Sequence, residues 1–228
     1  MKTIVIAGCS WGAGEWSNSQ ITHSGLAQYF IDDGFNVVNL SQPGNGPFCL
    51  LQPLSSFLEV NKKLLDIQHI FFLQSDIGRD FRKFGHAQAY RPVDWDKTKD
   101  LKQNIKKIHG NLYSNLNHIG QNWGVTIHLI GSLTDLVMDF EHEFKYVNFL
   151  VPSWVQLIQP TASPVFLLRQ SEIPNLNQDK QQLLSYTQSA VERFNIFHNS
   201  QFFPDNGHPD RYAHKLLHQH LHTLGLFN

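Results

Sequence analysis

Ser10 follows the apolar run Thr3 to Ala7 and stands between Gly8 and Gly12, while Asp205 and His208 lie three apart in the turn PDNGHPD near the other end of the chain. A serine becomes a nucleophile when an imidazole takes its proton, and a carboxylate reaching the other ring nitrogen orients that imidazole. Ser10, His208 and Asp205 are therefore the candidate nucleophile, general base and orienting group. The spacing Asp-x-x-His says little by itself in a chain with thirteen histidines, and Asp66/His69 and Asp139/His142 share it. Asp66/His69 precedes an expected strand, which assigns it to the amino end of a sheet. Asp139/His142 follows a strand and stays a competitor. Only Asp205/His208 sits in a Gly/Pro turn before a terminal helix, with Pro209 suited to the first helical position.

The opening stretch IAGCSWGAGEW admits other readings. Cys9 is an alternative nucleophile, because thiolates attack well. Ser10 would also serve as a plain helix cap. Gly8, Gly12 and Gly14 fit G-x-x-x-G-x-G, a spacing with which short-chain dehydrogenases bring backbone close to a dinucleotide pyrophosphate. That oxidoreductase reading lacks its partners. No tyrosine has lysine four residues later, Tyr212 and Lys215 being the nearest approach, and the second strand ends in Asn39 and Leu40 where an acidic residue would hold a ribose. His214, His218 and His222 recur every four residues and share a helical face, with His220 pointing elsewhere. No Cys or Glu pattern accompanies them, so a solvated stripe is expected, with no metal and no cofactor.

Positioning Ser10 and His208 requires alternating strands and helices. Thr3–Ala7, Asn36–Leu40, Ile70–Leu73 and Val125–Ile130 are expected strands. Ile21–Ile31, Phe48–Leu65, Lys99 to about Ile119, Gln178–Phe194 and Pro209–Leu224 are the expected helices. The segment 78–98 is polar and aromatic and reads as an insertion or lid. A Trp- and Pro-bearing excursion runs from Asp135 to Pro174. The pattern implies a three-layer α/β fold with a mostly parallel sheet, whose ligands bind beyond the carboxyl ends of the strands.

The 228 residues, 41% of them hydrophobic, are expected to fold as one domain over 1–228. A net charge of −1 provides no footprint for nucleic acid. No apolar run approaches a membrane span, so no membrane partner is expected. Two cysteines and a start without signal-peptide character suggest a reduced, cytoplasmic setting.

Together these features resemble the SGNH (GDSL-like) hydrolase family, in order along nearly the whole chain. Gly8, Cys9 and Ser10 match its first block, with Cys9 in place of the usual aspartate, and Asp205 and His208 match its last. The resemblance implies a flavodoxin-like α/β fold and a serine esterase working through an acyl-enzyme. It implies an oxyanion hole from the backbone of Ser10 and of Gly44, with Gly46 as the alternative. The third block, usually Gly-x-Asn-Asp, is replaced by FFLQSDIGRD, where Gln74 is expected to supply an amide donor and Ser75 is the alternative. Trp11 or Trp16 is expected to stack on a sugar or acyl group, Trp11 and Arg79 being the candidate substrate contacts. Asp76, Arg79 and Asp80 would otherwise be surface pairs. A small carboxylic ester or an O-acetylated carbohydrate is the expected substrate. The different-class alternative is a non-catalytic glycan-binding or structural module on the same fold.

Overall fold

The computed structural model describes residues 1–81, 99–169, 180–205 and 207–227. Of the expected insertion at 78–98, only 78–81 fall within that description. The chain opens with β1 (Lys2–Ala7), the single turn α1 (Ser10–Ala13), the hairpin β2 (Glu15–Ser17) and β3 (Gln20–His23), α2 (Leu26–Asp32) and β4 (Asn36–Asn39). Next come α3 (Leu51–Asn61), β5 (Asp66–Gln74), α4 (Leu101–Trp123), β6 (Ile127–Gly131) and β7 (Val147–Val151). The helices α5 (Trp154–Ile158), α6 (Lys180–Asn199) and α7 (Arg211–Thr223) follow.

The main sheet runs β4-β1-β5-β6-β7, and every neighbouring pair is parallel. Numbering only these strands along the chain gives the flavodoxin-like order 2-1-3-4-5, in which the first strand lies next to the point where the order reverses. Both faces are covered, so successive residues of one strand feed opposite cores. Val5 and Ala7 of β1 and Ile70 and Phe72 of β5 pack on the side of α3 and α4. Ile4 and Ile6, with Phe71 and Leu73, pack on the side of α2, α5 and α7. This explains why the strands read as continuous apolar runs instead of alternating ones. The class is α/β with three layers and a parallel sheet, as the sequence implies. Among the described residues, no helix is long and apolar enough to cross a membrane.

Several elements depart from the sequence expectation. The segment expected to be one helix over 21–31 is divided between β3 and α2. Asn18 and Ser19 both take positive φ, 50° and 64°, the backbone of a tight two-residue hairpin turn. Gly25, at φ 56°, then redirects the chain into α2. β7 lies inside the Trp- and Pro-bearing excursion, to which the sequence assigns no strand, where VNFLV forms a short strand beside β6. β5 begins at Asp66, earlier than expected, so Asp66 and His69 belong to its amino-terminal half. The last helix is capped by Asp210, whose side chain accepts from the Ala213 N–H, so Pro209 stands outside the helix rather than opening it.

Candidate active site

Ser10 begins α1 just past the carboxyl end of β1. The Cys9 carbonyl accepts the Gly12 and Ala13 N–H groups at 3.1 and 3.2 Å, which closes the turn. As a first-turn residue, Ser10 has a main-chain N–H that the helix itself cannot satisfy. Cys9 and Ser10 then part: Cys9 is fully buried in the apolar core, whereas Ser10 Oγ lies 3.0 Å from His208 Nε2.

His208 closes the turn that starts at Asp205. Its N–H donates to the Asp205 carbonyl at 2.9 Å, and its ring Nδ1 lies 2.7 Å from the same carbonyl. A carbonyl oxygen only accepts, so the proton of the neutral imidazole sits on Nδ1 and Nε2 is left to accept from the Ser10 hydroxyl. The tautomer needed for a general base is thus set by the main chain of Asp205, a task the sequence assigns to its carboxylate. The carboxylate acts on the ring through its charge. Gly207, at φ +83°, makes the turn; a Cβ there would stand 2.8 Å from the Phe197 ring.

Burial holds the His208 pKa below its ordinary 6.5 and the Arg79 charge lowers it further, while the Asp205 carbonyl and carboxylate pull it up. The neutral, proton-accepting form therefore prevails at neutral pH.

Of the two tryptophans, Trp16 and not Trp11 lies against Ser10 and His208. Trp11 is in the core, 5.3 Å from the Phe203 ring in a stacked arrangement and edge-on to Trp154 at 5.4 Å. It is not a substrate contact. Trp16 donates its indole N–H to the Ser10 carbonyl at 2.9 Å, and its ring lies 5.4 Å from that of His208. Only the hairpin, unrecognised in the sequence, brings Trp16 back onto the site.

The loop after β4 is laced to the turn that carries Ser10. Asn39 donates from its side-chain amide to the Gly12 carbonyl at 2.8 Å and accepts from the Ser41 N–H at 3.0 Å, and the Gln42 N–H donates to the Gly8 carbonyl at 2.8 Å. Within this loop Gly46 packs against the Asp80 carboxylate, which explains its lack of a side chain. Gly44 differs, with φ +82° and, among the described residues, nothing against the place where a Cβ would stand. Gly12 and Gly14 face Ser41 and the His23 carbonyl, so the close approaches that call for glycine at these two positions are made by the protein itself.

Gln74 ends β5 fully buried, and its amide is already committed. Its Nε2 donates to the Asp135 carbonyl at 2.8 Å and approaches Thr134 Oγ1 at 3.5 Å, while its Oε1 accepts from the Tyr113 hydroxyl at 2.9 Å. The amide nitrogen is turned to these buried partners, which corrects the expectation that Gln74 donates to an oxyanion. The polar residues that follow are buried too, not surface pairs. Asp76 accepts from the Gly78, Leu168 and Arg169 N–H groups at 3.2, 3.1 and 3.0 Å. Asp80 accepts from those of Phe48 and Cys49, each at 3.2 Å. Arg79 is 7% exposed, with Nη1 3.4 Å from Ser75 Oγ and Nε without a hydrogen-bond partner among the described residues.

The competing pairs lie elsewhere. Asp139 forms an exposed ion pair with Lys106 at 2.9 Å. Asp66 is at the amino end of β5, the wrong end of the sheet.

No family model matches the chain, and no curated protein does. Among solved structures it is similar to the psychrotrophic esterase EstA from Pseudoalteromonas sp., at 16% identity and a TM-score of 0.46, over 97% of this chain and 94% of that one. It is similar to TesA at 14% identity and 0.46, over 97% and 96%. The lipase/acylhydrolase from Enterococcus faecalis is similar at 14% and 0.44, over 99% and 96%.

Proposed function

We propose that this protein is a serine esterase of the SGNH type, cleaving a small carboxylic ester or an O-acetylated carbohydrate through an acyl-enzyme. The observation that carries the reading is the 3.0 Å approach of His208 Nε2 to Ser10 Oγ, between residues 198 positions apart. His208, its Nδ1 proton held by the Asp205 carbonyl, takes the hydroxyl proton through Nε2 as Ser10 Oγ attacks the ester carbonyl. The tetrahedral oxyanion is met by the main-chain N–H of Ser10 and of Gly44. His208 then gives its proton to the leaving alcohol. Water enters, loses a proton to the same imidazole, and releases the acid with Ser10 restored.

Trp16 fixes the Ser10 carbonyl and covers one side of the imidazole, and Arg79 faces polar oxygen on the substrate. Gln74 has no part in this scheme, so the hole rests on two main-chain donors. The test is hydrolysis of p-nitrophenyl acetate by the wild type, Ser10→Ala and His208→Ala, each checked for folding by circular dichroism. Turnover by the wild type and its loss in both variants is the expected result. Equal rates in all three folded proteins would favour a non-catalytic binding module.

A further inference from the structure

At the end of the sheet opposite Ser10, the histidine stripe of α7 meets the end of α2. Asp33, the C-cap of α2, turns Oδ2 toward two imidazoles one helical turn apart. His218 Nε2 stands 2.7 Å from that oxygen, His222 Nε2 stands 2.9 Å from it, and the two nitrogens are 3.2 Å apart. Three ligand atoms therefore form a nearly regular triangle. A zinc ion with bonds of 2.0–2.1 Å in tetrahedral geometry has ligand atoms separated by about 3.3 Å, so this triangle approximates one face of such a tetrahedron.

The rings are already locked in place. His218 packs against Phe30 at 5.2 Å and Tyr29 at 5.5 Å, and His222 against Phe227 at 4.7 Å. The third member of the stripe, His214, is absorbed differently: it is fully buried, and its Nδ1 accepts from the Leu26 N–H at 3.0 Å, where α2 begins. His218 and His222 thus differ from it in having a shared anionic partner. The side chains of Asp33 and His222 are 30% and 42% exposed, which leaves the outer face open to a water ligand and to entry of an ion.

We propose that Asp33, His218 and His222 bind a divalent d-block cation, zinc foremost, with water completing the coordination. Two imidazoles and one carboxylate suit zinc, and this donor set is poor for calcium and magnesium, which prefer oxygen. The bound ion joins the end of α2 to the end of α7, and so ties the first βα unit to the last described helix. Because only the folded chain brings these ligands together, the ion stabilises the fold by mass action.

The test uses the full chain, stripped of metal with a chelator and titrated with Zn²⁺ alone against a chromophoric competitor. The wild type and the His220→Ala control, on the same helix but outside the triangle, are expected to bind one Zn²⁺ equivalent at this site and to melt at a higher temperature with it. Asp33→Asn and His222→Ala are expected to weaken that binding by about tenfold or more and to abolish the thermal response. Co²⁺ in place of Zn²⁺ should give the visible bands of a four-coordinate ion in the wild type and in His220→Ala, and in neither Asp33→Asn nor His222→Ala. Asp33→Asn changes shape little and His222 is half exposed, so both variants are expected to fold; circular dichroism without metal checks this. Zn²⁺ affinity and thermal shift unchanged in the two variants would overturn the site, as would a wild type that retains no Zn²⁺.

Discussion

Trp16 lies with its ring 5.4 Å from that of His208 and its indole N–H on the carbonyl of Ser10, so one side chain contacts both the proposed nucleophile and the proposed base. Trp11, five positions earlier, sends its ring into the core among Trp154, Phe197 and Phe203. Their substitution should therefore fail in different ways. Trp16→Ala is expected to leave the melting temperature nearly unchanged and to lower kcat/KM by about five- to thirtyfold, the equivalent of roughly 1–2 kcal/mol for a lost hydrogen bond and its packing. Trp11→Ala is expected to cost about 3–5 kcal/mol of stability through the cavity it leaves. Denaturant titration beside ester kinetics separates the two, and the reverse assignment would contradict the placement of both rings.

The pH profile should report His208 and its two charged neighbours. Burial and the Arg79 charge lower its pKa, so the acid limb of kcat/KM is expected to have its midpoint below the ordinary imidazole value of 6.5, with activity rising as pH rises through it. Removing the cation in Arg79→Gln should move that midpoint up. Removing the anion in Asp205→Asn should move it down. Because the Asp205 carbonyl still holds the Nδ1 proton, Asp205→Asn is expected to cost only about tenfold in kcat, far below the roughly 10⁴-fold loss seen when a carboxylate alone sets the tautomer. Midpoints moving in the same direction in both variants would contradict this electrostatic arrangement.

Gln74 should behave as a structural residue. Gln74→Leu removes the acceptor of the Tyr113 hydroxyl and the donor to the Asp135 carbonyl, both buried. Leaving such groups unpaired costs about 1–3 kcal/mol each. A lower unfolding midpoint is expected, with kcat of the folded enzyme within about threefold of wild type, whereas losing an oxyanion donor would reduce it by about 10²–10³. A stable variant with that larger catalytic loss would restore Gln74 to the oxyanion hole.

The sequence carried the two ends of the site better than its middle. Ser10 was legible because a glycine-bounded serine after a first parallel strand lands at the carboxyl edge of the sheet. His208 was legible because a Gly/Pro turn opens the terminal helix beside that edge. The carbonyl that fixes its tautomer was not, since main-chain contacts leave no mark on residue type. Trp16 required the β2–β3 hairpin, whose turn rests on positive φ at Asn18 and Ser19, with no glycine to announce it. Gln74 stood in the expected block, but its partners Tyr113 and Asp135 come from a distant helix and loop. The triangle at His218 and His222 was half visible as a helical stripe; its third member, Asp33, is 185 residues away.

The central claim is that Ser10 is the nucleophile, and covalent labelling tests it most directly. A serine-directed phosphonate, followed by peptide mass spectrometry, is expected to add one phosphonyl group at Ser10 in step with loss of p-nitrophenyl acetate hydrolysis. Cys9→Ala should label as the wild type does, because that thiol is buried in the core. Ser10→Ala should not label. Labelling at Cys9, or phosphonate-resistant turnover that survives in Ser10→Ala, would contradict the account.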